Sequence, residues 1–307
     1  MSGSRVSLAM VFVLGGLAIG ASCRNNRATT SNAESADASA PRPAPANSGV
    51  VTEVPGLDLS ELSSAERESF WAIANEELSP CGDPHSIATC ARDRLPCRTC
   101  LPALRFLARR VRDGYPRDQL SDHVRMRYAA SSVVQIRTDG APSHGSVAAA
   151  VTVVEFSDYE CPHCAAAIPI LRQIERDLEG RIRVVHMNFP LTGHTHAVPA
   201  ARAALAAGRQ GKFWEMNDLL FQNQRHLEPQ DLERYATQLG LDLARFRADA
   251  ASPETEQAVQ ATRREGERLQ LSGTPTIFIN GRRFELNLDR ETLREWIQEE
   301  LDAGGQR

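Results

Sequence analysis

The chain has 307 residues, 42% of them hydrophobic, and a formal net charge of -4. That length suits about two domains and that apolar content can fill their cores, while the slightly acidic balance leaves no electrostatic footprint for nucleic acid. Seven cysteines would be out of place in a reducing cytosol unless they carried redox or metal chemistry, and they fit an oxidising compartment.

Arg5 precedes the uncharged stretch Val6 to Ser22, which ends in small residues before Cys23. This is the layout of a secretory signal over residues 1–22. Gly20-Ala21-Ser22-Cys23 resembles a bacterial lipoprotein signal, although Gly20 stands where such signals usually carry Leu. The resemblance implies lipidation of Cys23 and a place on the periplasmic face of a bacterial membrane. A cleaved, soluble periplasmic form and an uncleaved anchor are the alternatives. Residues 23–50 are Ala, Ser, Asn and Pro with little to bury, so they predict a disordered tether spanning on the order of 30 Å.

Residues 51–131 predict a small α-helical domain around four cysteines. Leu59 to Leu78 reads as a helix: Ser63 can cap it, Glu66 completes a capping box, and Phe70, Ile73, Ala74 and Leu78 recur at helical spacing. Cys81, Cys90, Cys97 and Cys100 follow, then helices over Leu101 to Arg112 and from about Arg117 to Tyr128. Three readings of these cysteines stay open. They are two structural disulfides stapling a small domain, a second redox pair at Cys97 and Cys100, or a zinc site. Leu95-Pro96-Cys97-Arg98-Thr99-Cys100, a basic helix, Gly114 and Met126-Arg127-Tyr128 faintly resemble the helical thiol domain of CcmH-like cytochrome c maturation proteins. That resemblance implies disulfide exchange with thioredoxin-like partners, and Pro96 departs from the Arg usual there.

Residues 132–307 predict an α/β domain. Val133 to Thr138 reads as its first strand, and Asp139-Gly140-Ala141-Pro142 turns the chain into an apolar run, Val151 to Phe156. Cys161-Pro162-His163-Cys164 then opens a helix. Two sulfurs at this spacing can close on each other with little backbone movement. The first faces unpaired N–H groups and the positive end of the helix dipole, which favours a thiolate. Cys161 is therefore read as the nucleophile, His163 as a positive neighbour, and Cys164, one turn further in, as the more buried resolving thiol. Asp158 and Glu160 pull against the thiolate, since acidic neighbours raise a thiol pKa.

Arg181 to Asn188 predicts a second buried strand. His196 to Leu271 reads as helical throughout, with Gly208 and Gly211 separating two helices, Asp242 capping another, and Ser252-Pro253 starting the last. Phe213, Trp214, Leu219, Leu220 and Phe221 are read as packing, and His194 and His196 as surface or capping residues. Thr276 to Ile279, an Asn280-Gly281 turn and Arg283 to Leu286 predict a hairpin. Asp289 then caps a final helix with Leu293, Trp296, Ile297 and Leu301 on one face.

From about Ser132 to Leu301 the sequence resembles the thioredoxin-fold, DsbA-like thiol:disulfide oxidoreductases. The shared features are Cys161-Pro162-His163-Cys164, Glu155 six residues before it, Pro169 eight after it, Gly273-Thr274-Pro275-Thr276, and the helical insertion at about 196–271. The resemblance implies a thioredoxin fold, a buried carboxylate at Glu155 beneath the resolving thiol, and a helix kinked at Pro169. It also implies a cis Pro275 packed against the disulfide, with the Thr274 backbone offering hydrogen bonds to a bound peptide. The expected activity is disulfide exchange with extracytoplasmic proteins, as an oxidant made milder by Asp158 and Glu160. No cofactor is expected beyond the Cys161–Cys164 disulfide, and no metal.

The expected partners are cysteine-containing extracytoplasmic proteins, a redox partner that recycles the site, and the membrane through Cys23. An isomerase or a reductase using the same residues is the nearest rival. A peptide-binding or chaperone module with structural cysteines is the rival of another class.

Overall fold

A computed structural model describes residue 45 and residues 49–304. The expected signal sequence, Cys23 and most of the tether lie outside the described residues.

The chain first builds a helical layer: α1 (Ser64–Glu76), α2 (Ile87–Arg92), α3 (Cys100–Arg112) and α4 (Arg117–Tyr128). Ser63 and Glu66 close a reciprocal capping box, which satisfies two of the donors that a helix start otherwise leaves open. Phe70, Ile73, Leu104, Leu107 and Leu120 fill a core that also holds Cys90, Cys97 and Cys100. The cysteines pair Cys81–Cys97 and Cys90–Cys100. The short α2, capped by Ser86, was not foreseen, because six residues between two cysteines are too few to display a period.

A five-stranded sheet follows in the order β1-β3-β2-β4-β5. Its strands are β1 (Ser143–His144), β2 (Val151–Ser157), β3 (Ile182–Asn188), β4 (Thr276–Ile279) and β5 (Arg282–Phe284). Central β2 runs parallel to β3 and antiparallel to β4. Both of its faces are covered, which explains why every residue of it but Thr152 is buried. On one face it packs against α5 (Pro162–Asp177) and α11 (Arg290–Gly304), and on the other lie Phe156, Met187, Phe189 and Phe278. The β4–β5 hairpin turns through Asn280 and Gly281 with φ of 49° and 78°, the backbone that an Asn-Gly turn supplies.

The expected strand over Val133 to Thr138 is not formed. Only one bridge, Val133 to Arg282, reaches the sheet. The segment has the alternating burial of a strand, but side chains further along the chain satisfy its backbone. Arg137 N–H donates to Glu265 Oε1 at 2.8 Å, and Arg268 donates to the Gln135 carbonyl at 2.6 Å. The sheet edge is taken by β1, antiparallel to β3.

Between β3 and β4 the insertion is helical: α6 (Ala197–Gly208), α7 (Phe213–Gln222), α8 (Pro229–Gln238), α9 (Leu243–Ala251) and α10 (Pro253–Arg268). Asp242 and Ser252 accept from backbone N–H groups at two of the helix starts. The alanine-rich face of α6, Met216, Leu220 and Phe221 form a core that includes Cys161 and Cys164. The insertion and the Cys161–Cys164 turn thus share one packing unit.

The helical layer docks on α11. Arg127, 3% exposed, meets Glu299 at 3.1 Å and Glu300 at 2.5 Å, and its guanidinium lies 4.5 Å from the Trp296 ring centroid. Tyr128 Oη donates to Glu299 Oε2 at 2.8 Å. Among the described residues no helix is long and apolar enough to cross a membrane.

Candidate active site

Cys161 is the N-cap of α5, with Pro162 at the first helical position, where its missing N–H costs nothing. Pro162 and His163 are exposed, and Pro169 lies inside the helix. Cys161 and Cys164 are unbonded and buried, with Cys164 the deeper at 0% exposure against 4%. The Cys161 thiol donates to the Thr274 carbonyl at 3.3 Å and makes no capping bond to the helix N–H groups. In the dithiol state its sulfur is therefore turned toward the loop that carries Pro275, whose peptide bond is cis.

Burial pushes the Cys164 thiol up to about 12. The Ser157 and Thr274 hydroxyls face it and pull the other way, although neither meets strict hydrogen-bond geometry. The Asp158 N–H donates to Cys164 Sγ at 3.5 Å.

Glu155 is 2% exposed on β2, and burial raises its carboxyl to about 7. Opposite it in register stands His186 on β3, fully buried, whose pKa burial lowers to about 4. Their nearest N···O distance is 4.0 Å, too long for a hydrogen bond, and burial leaves the imidazole neutral. The two are a buried neutral pair below neutrality rather than an ion pair. His186 Nε2 lies 3.3 Å from Asn188 Oδ1 and 3.4 Å from Tyr159 Oη, which itself donates to Asn217 at 3.0 Å. His186, Asn188, Tyr159 and Asn217 are all fully or almost fully buried.

The two acidic neighbours of Cys161 do not face it freely. Asp158 accepts from the Leu191 N–H at 2.7 Å, the Glu160 N–H at 2.7 Å and His194 Nδ1 at 2.8 Å. Glu160 accepts from the His196 N–H at 2.6 Å and lies 3.1 Å from His196 Nδ1. The hydrogen bond with Glu160, and then its charge, raises the His196 pKa. His194 and His196, expected at the surface or at a cap, are partly exposed, with His196 the N-cap residue of α6, and they also pair with the carboxylates of Asp158 and Glu160. Gln224 was missed altogether: its Nε2 donates to the carbonyls of Tyr159 at 2.7 Å and Cys161 at 2.8 Å. A lone Gln in a polar loop gives no signal of that role in the sequence.

Beside His163 and Pro275 opens a groove of about 340 Å³ lined by Ala166, Ile170, Ile277, Phe284, Leu286 and Leu288. Apart from His163, the side chains that line it are apolar, and it reaches the Cys-Pro-His-Cys turn at His163.

Among curated proteins, the chain is 43% identical over 162 residues to Na(+)/H(+) antiporter NhaA 1 of Salinispora arenicola, covering 52% of this chain and 25% of that protein. It is 36% identical over 175 residues to the NhaA 1 antiporter of Mycolicibacterium vanbaalenii, covering 56% and 25%. The chain thus spans about a quarter of the length of these curated relatives. Among solved structures, oxidised BdbD from Bacillus subtilis is 24% identical with a TM-score of 0.51, covering 55% of this chain and 97% of that one. That likeness shows a shared fold. The Thioredoxin_4 family model, described as thioredoxin, matches residues 137–299, more than half of the chain, and with a Cys-Pro-His-Cys turn at a helix start beside the sheet the protein belongs to the thioredoxin family.

Proposed function

We propose that the protein is an exported thiol:disulfide oxidoreductase that oxidises cysteine pairs in extracytoplasmic proteins. The observation that carries this reading is the stacked order at the mouth of α5: a nucleophile position at Cys161, a high-pKa thiol at Cys164 beneath it, and a carboxyl at Glu155 raised to about 7. In the oxidising direction a substrate thiolate attacks Cys161 Sγ of the Cys161–Cys164 disulfide, forming a mixed disulfide and expelling Cys164 as a thiolate. A leaving thiolate of that basicity needs a proton, and a carboxyl of pKa about 7 still carries one near neutrality. Glu155 is the proposed donor, with the Ser157 hydroxyl between the two groups. The second substrate thiolate then attacks its neighbour's sulfur, and Cys161 leaves as a thiolate at the positive end of α5.

Asp158 and Glu160 support a stronger oxidant than their charges alone suggest, because backbone N–H groups and two histidines already engage them. Thr274 supplies the backbone on which a client peptide pairs, and the apolar groove beside Pro275 takes its flanking side chains. A redox partner must reoxidise the cysteine pair after each turnover. The signal-like leader supports export, and Cys23 supports a lipid tether to the periplasmic face of the membrane. The antiporters' transport is not carried over, since the match covers a quarter of their length.

The deciding measurement is the reduction potential of the Cys161–Cys164 pair, with oxidation of a reduced, unfolded client followed alongside. A potential in the oxidising range and rapid client oxidation are expected, and a thioredoxin-like, reducing potential would overturn the oxidant reading. Replacing Cys23 with Ser should release the protein from the membrane fraction, and unchanged sedimentation would rule out the lipid tether.

A further inference from the structure

The cysteines at the start of α3 have a geometry that the proposed activity leaves unused. Cys81 bonds Cys97 and Cys90 bonds Cys100, yet the sulfurs of Cys90, Cys97 and Cys100 all lie within 4.8 Å of one another. The two bridges are therefore adjacent, not separate staples. The Cys100 N–H donates to the Cys97 carbonyl at 3.4 Å, as the Cys164 N–H donates to the Cys161 carbonyl at 3.1 Å. A turn of that kind holds its end Cα atoms within about 7 Å, close to the reach of a disulfide. One backbone thus accommodates Cys97 paired outward with Cys81 or inward with Cys100.

Exposure is graded across the cluster. Cys81 is exposed, Cys97 is 7% exposed, and Cys90 and Cys100 are each 1% exposed. An incoming thiolate can reach only the outer bridge. Hydroxyls stand at both bridges: Thr99 Oγ1 lies 3.3 Å from Cys97 Sγ and 3.8 Å from Cys81 Sγ, while buried Ser79 Oγ lies 3.8 Å from Cys90 Sγ and 3.6 Å from Cys100 Sγ. A hydroxyl beside an emerging thiolate can donate to it.

We propose that the four-cysteine cluster is a second thiol–disulfide exchange centre, which takes electrons from a protein dithiol at Cys81 and moves them inward by re-pairing Cys97 with Cys100. The first partner thiolate attacks Cys81 Sγ, forming a mixed disulfide and releasing Cys97 as a thiolate. Cys97 then attacks Cys100 Sγ, so that the Cys97–Cys100 bond forms, the Cys90–Cys100 bond breaks, and Cys90 leaves as a thiolate beside Ser79. The partner's second thiolate attacks the mixed disulfide and releases Cys81. Overall the dithiol gives up two electrons and two protons and becomes a disulfide, Cys81 and Cys90 become thiols, and one protein disulfide remains.

The test uses the full chain with Cys23, Cys161 and Cys164 all changed to Ser, so that only the upstream cluster exchanges. Substoichiometric dithiothreitol is added without oxygen, the reaction is quenched in acid, and the thiols are alkylated and mapped by mass spectrometry. The expected two-thiol species carries label on Cys81 and Cys90 and contains a Cys97–Cys100 bond. A two-thiol species that always retains Cys90–Cys100, or passage straight to four thiols, would overturn the proposal. As an independent readout, a Cys81→Ser chain has one unpaired thiol in the cluster. That thiol is expected to be distributed over Cys90 and Cys97, and finding it on Cys97 alone counts against exchange.

Discussion

Two Cys-x-x-Cys turns sit at two helix starts in this molecule, closed by the same backbone hydrogen bond, and they are in different covalent states. At α5 the two sulfurs are unbonded. At α3 each sulfur is committed to a cysteine outside the turn. The spacing is the same, but Cys161 is the N-cap of α5 whereas Cys97 lies two residues before the N-cap of α3, and what surrounds each turn differs as well. Cys161 lies beside a loop carbonyl, Cys164 faces the Ser157 hydroxyl that also faces the buried Glu155 carboxyl, and among the described residues every other cysteine is held in a disulfide. Cys97 and Cys100 have two further sulfurs within bonding reach.

The comparison breaks most sharply at Cys161. Changing Cys161 to Ser should lower client oxidation by three orders of magnitude or more, on the order of what loss of a nucleophile costs, as read by refolding of a reduced client. Cys164→Ala should instead accumulate a mixed disulfide on a non-reducing gel when the disulfide-bonded client is offered, because Cys161 attacks the client disulfide, one client sulfur leaves as a thiolate, and no partner thiol in the site resolves the bond. If Cys161→Ser retained most of the activity, the α3 cluster would be the catalytic pair and the contrast would be reversed.

The next effect is on stability. Changing both Cys90 and Cys100 to Ala removes a bridge with a sequence separation of 10, which should cost about 3 kcal/mol by the chain-entropy relation, measured by urea unfolding. Arg127→Ala should cost a similar ~3 kcal/mol, because it strips a buried cation from Glu299 and Glu300. Equilibrium unfolding checks both, and changes under ~1 kcal/mol would show that the helical layer stands without them.

A pH effect sharpens the comparison from below the α5 turn. Burial raises Glu155 from 4.5 to about 7, so it contributes stability that is complete below 4.5 and lost as pH rises through 7. Burial lowers His186 from 6.5 to about 4, so its contribution is present above 6.5 and lost as pH falls through 4. Between about 4.5 and 6.5 the pair binds one proton in both folded and unfolded states, and the two slopes cancel. Glu155→Gln should expose a loss of stability toward acid, and His186→Gln a loss toward neutrality, in chemical denaturation run from pH 4 to 8. Parallel curves for both variants and the wild type would contradict the assignment. The smallest expected change is a few-fold slowing of client oxidation in Gln224→Ala, through loss of two hydrogen bonds worth about 1 kcal/mol each.

Local chemistry made much of this readable from the sequence. The capping box at Ser63, the Asn280-Gly281 turn and the buried run of β2 each follow from a few neighbouring residues. The α3 pairing was not readable, because three connectivities fit four cysteines equally until the fold brings the sulfurs together. The failure at Val133 to Thr138 has the same origin. Its alternation is real, but Glu265 and Arg268, more than a hundred residues away, take the backbone bonds a neighbouring strand would have made. His186 was invisible as Glu155's companion, since only strand register sets them opposite each other.

On the proposed mechanism, Gln224 would link client fit to turnover. One amide nitrogen on the helical insertion steadies the carbonyls of Tyr159 and Cys161, so a client that levers the insertion outward would loosen the main chain beneath the sulfur under attack before any bond is exchanged. Sequence drift in that loop would then alter catalytic speed and client range together, with no change in the reactive turn itself.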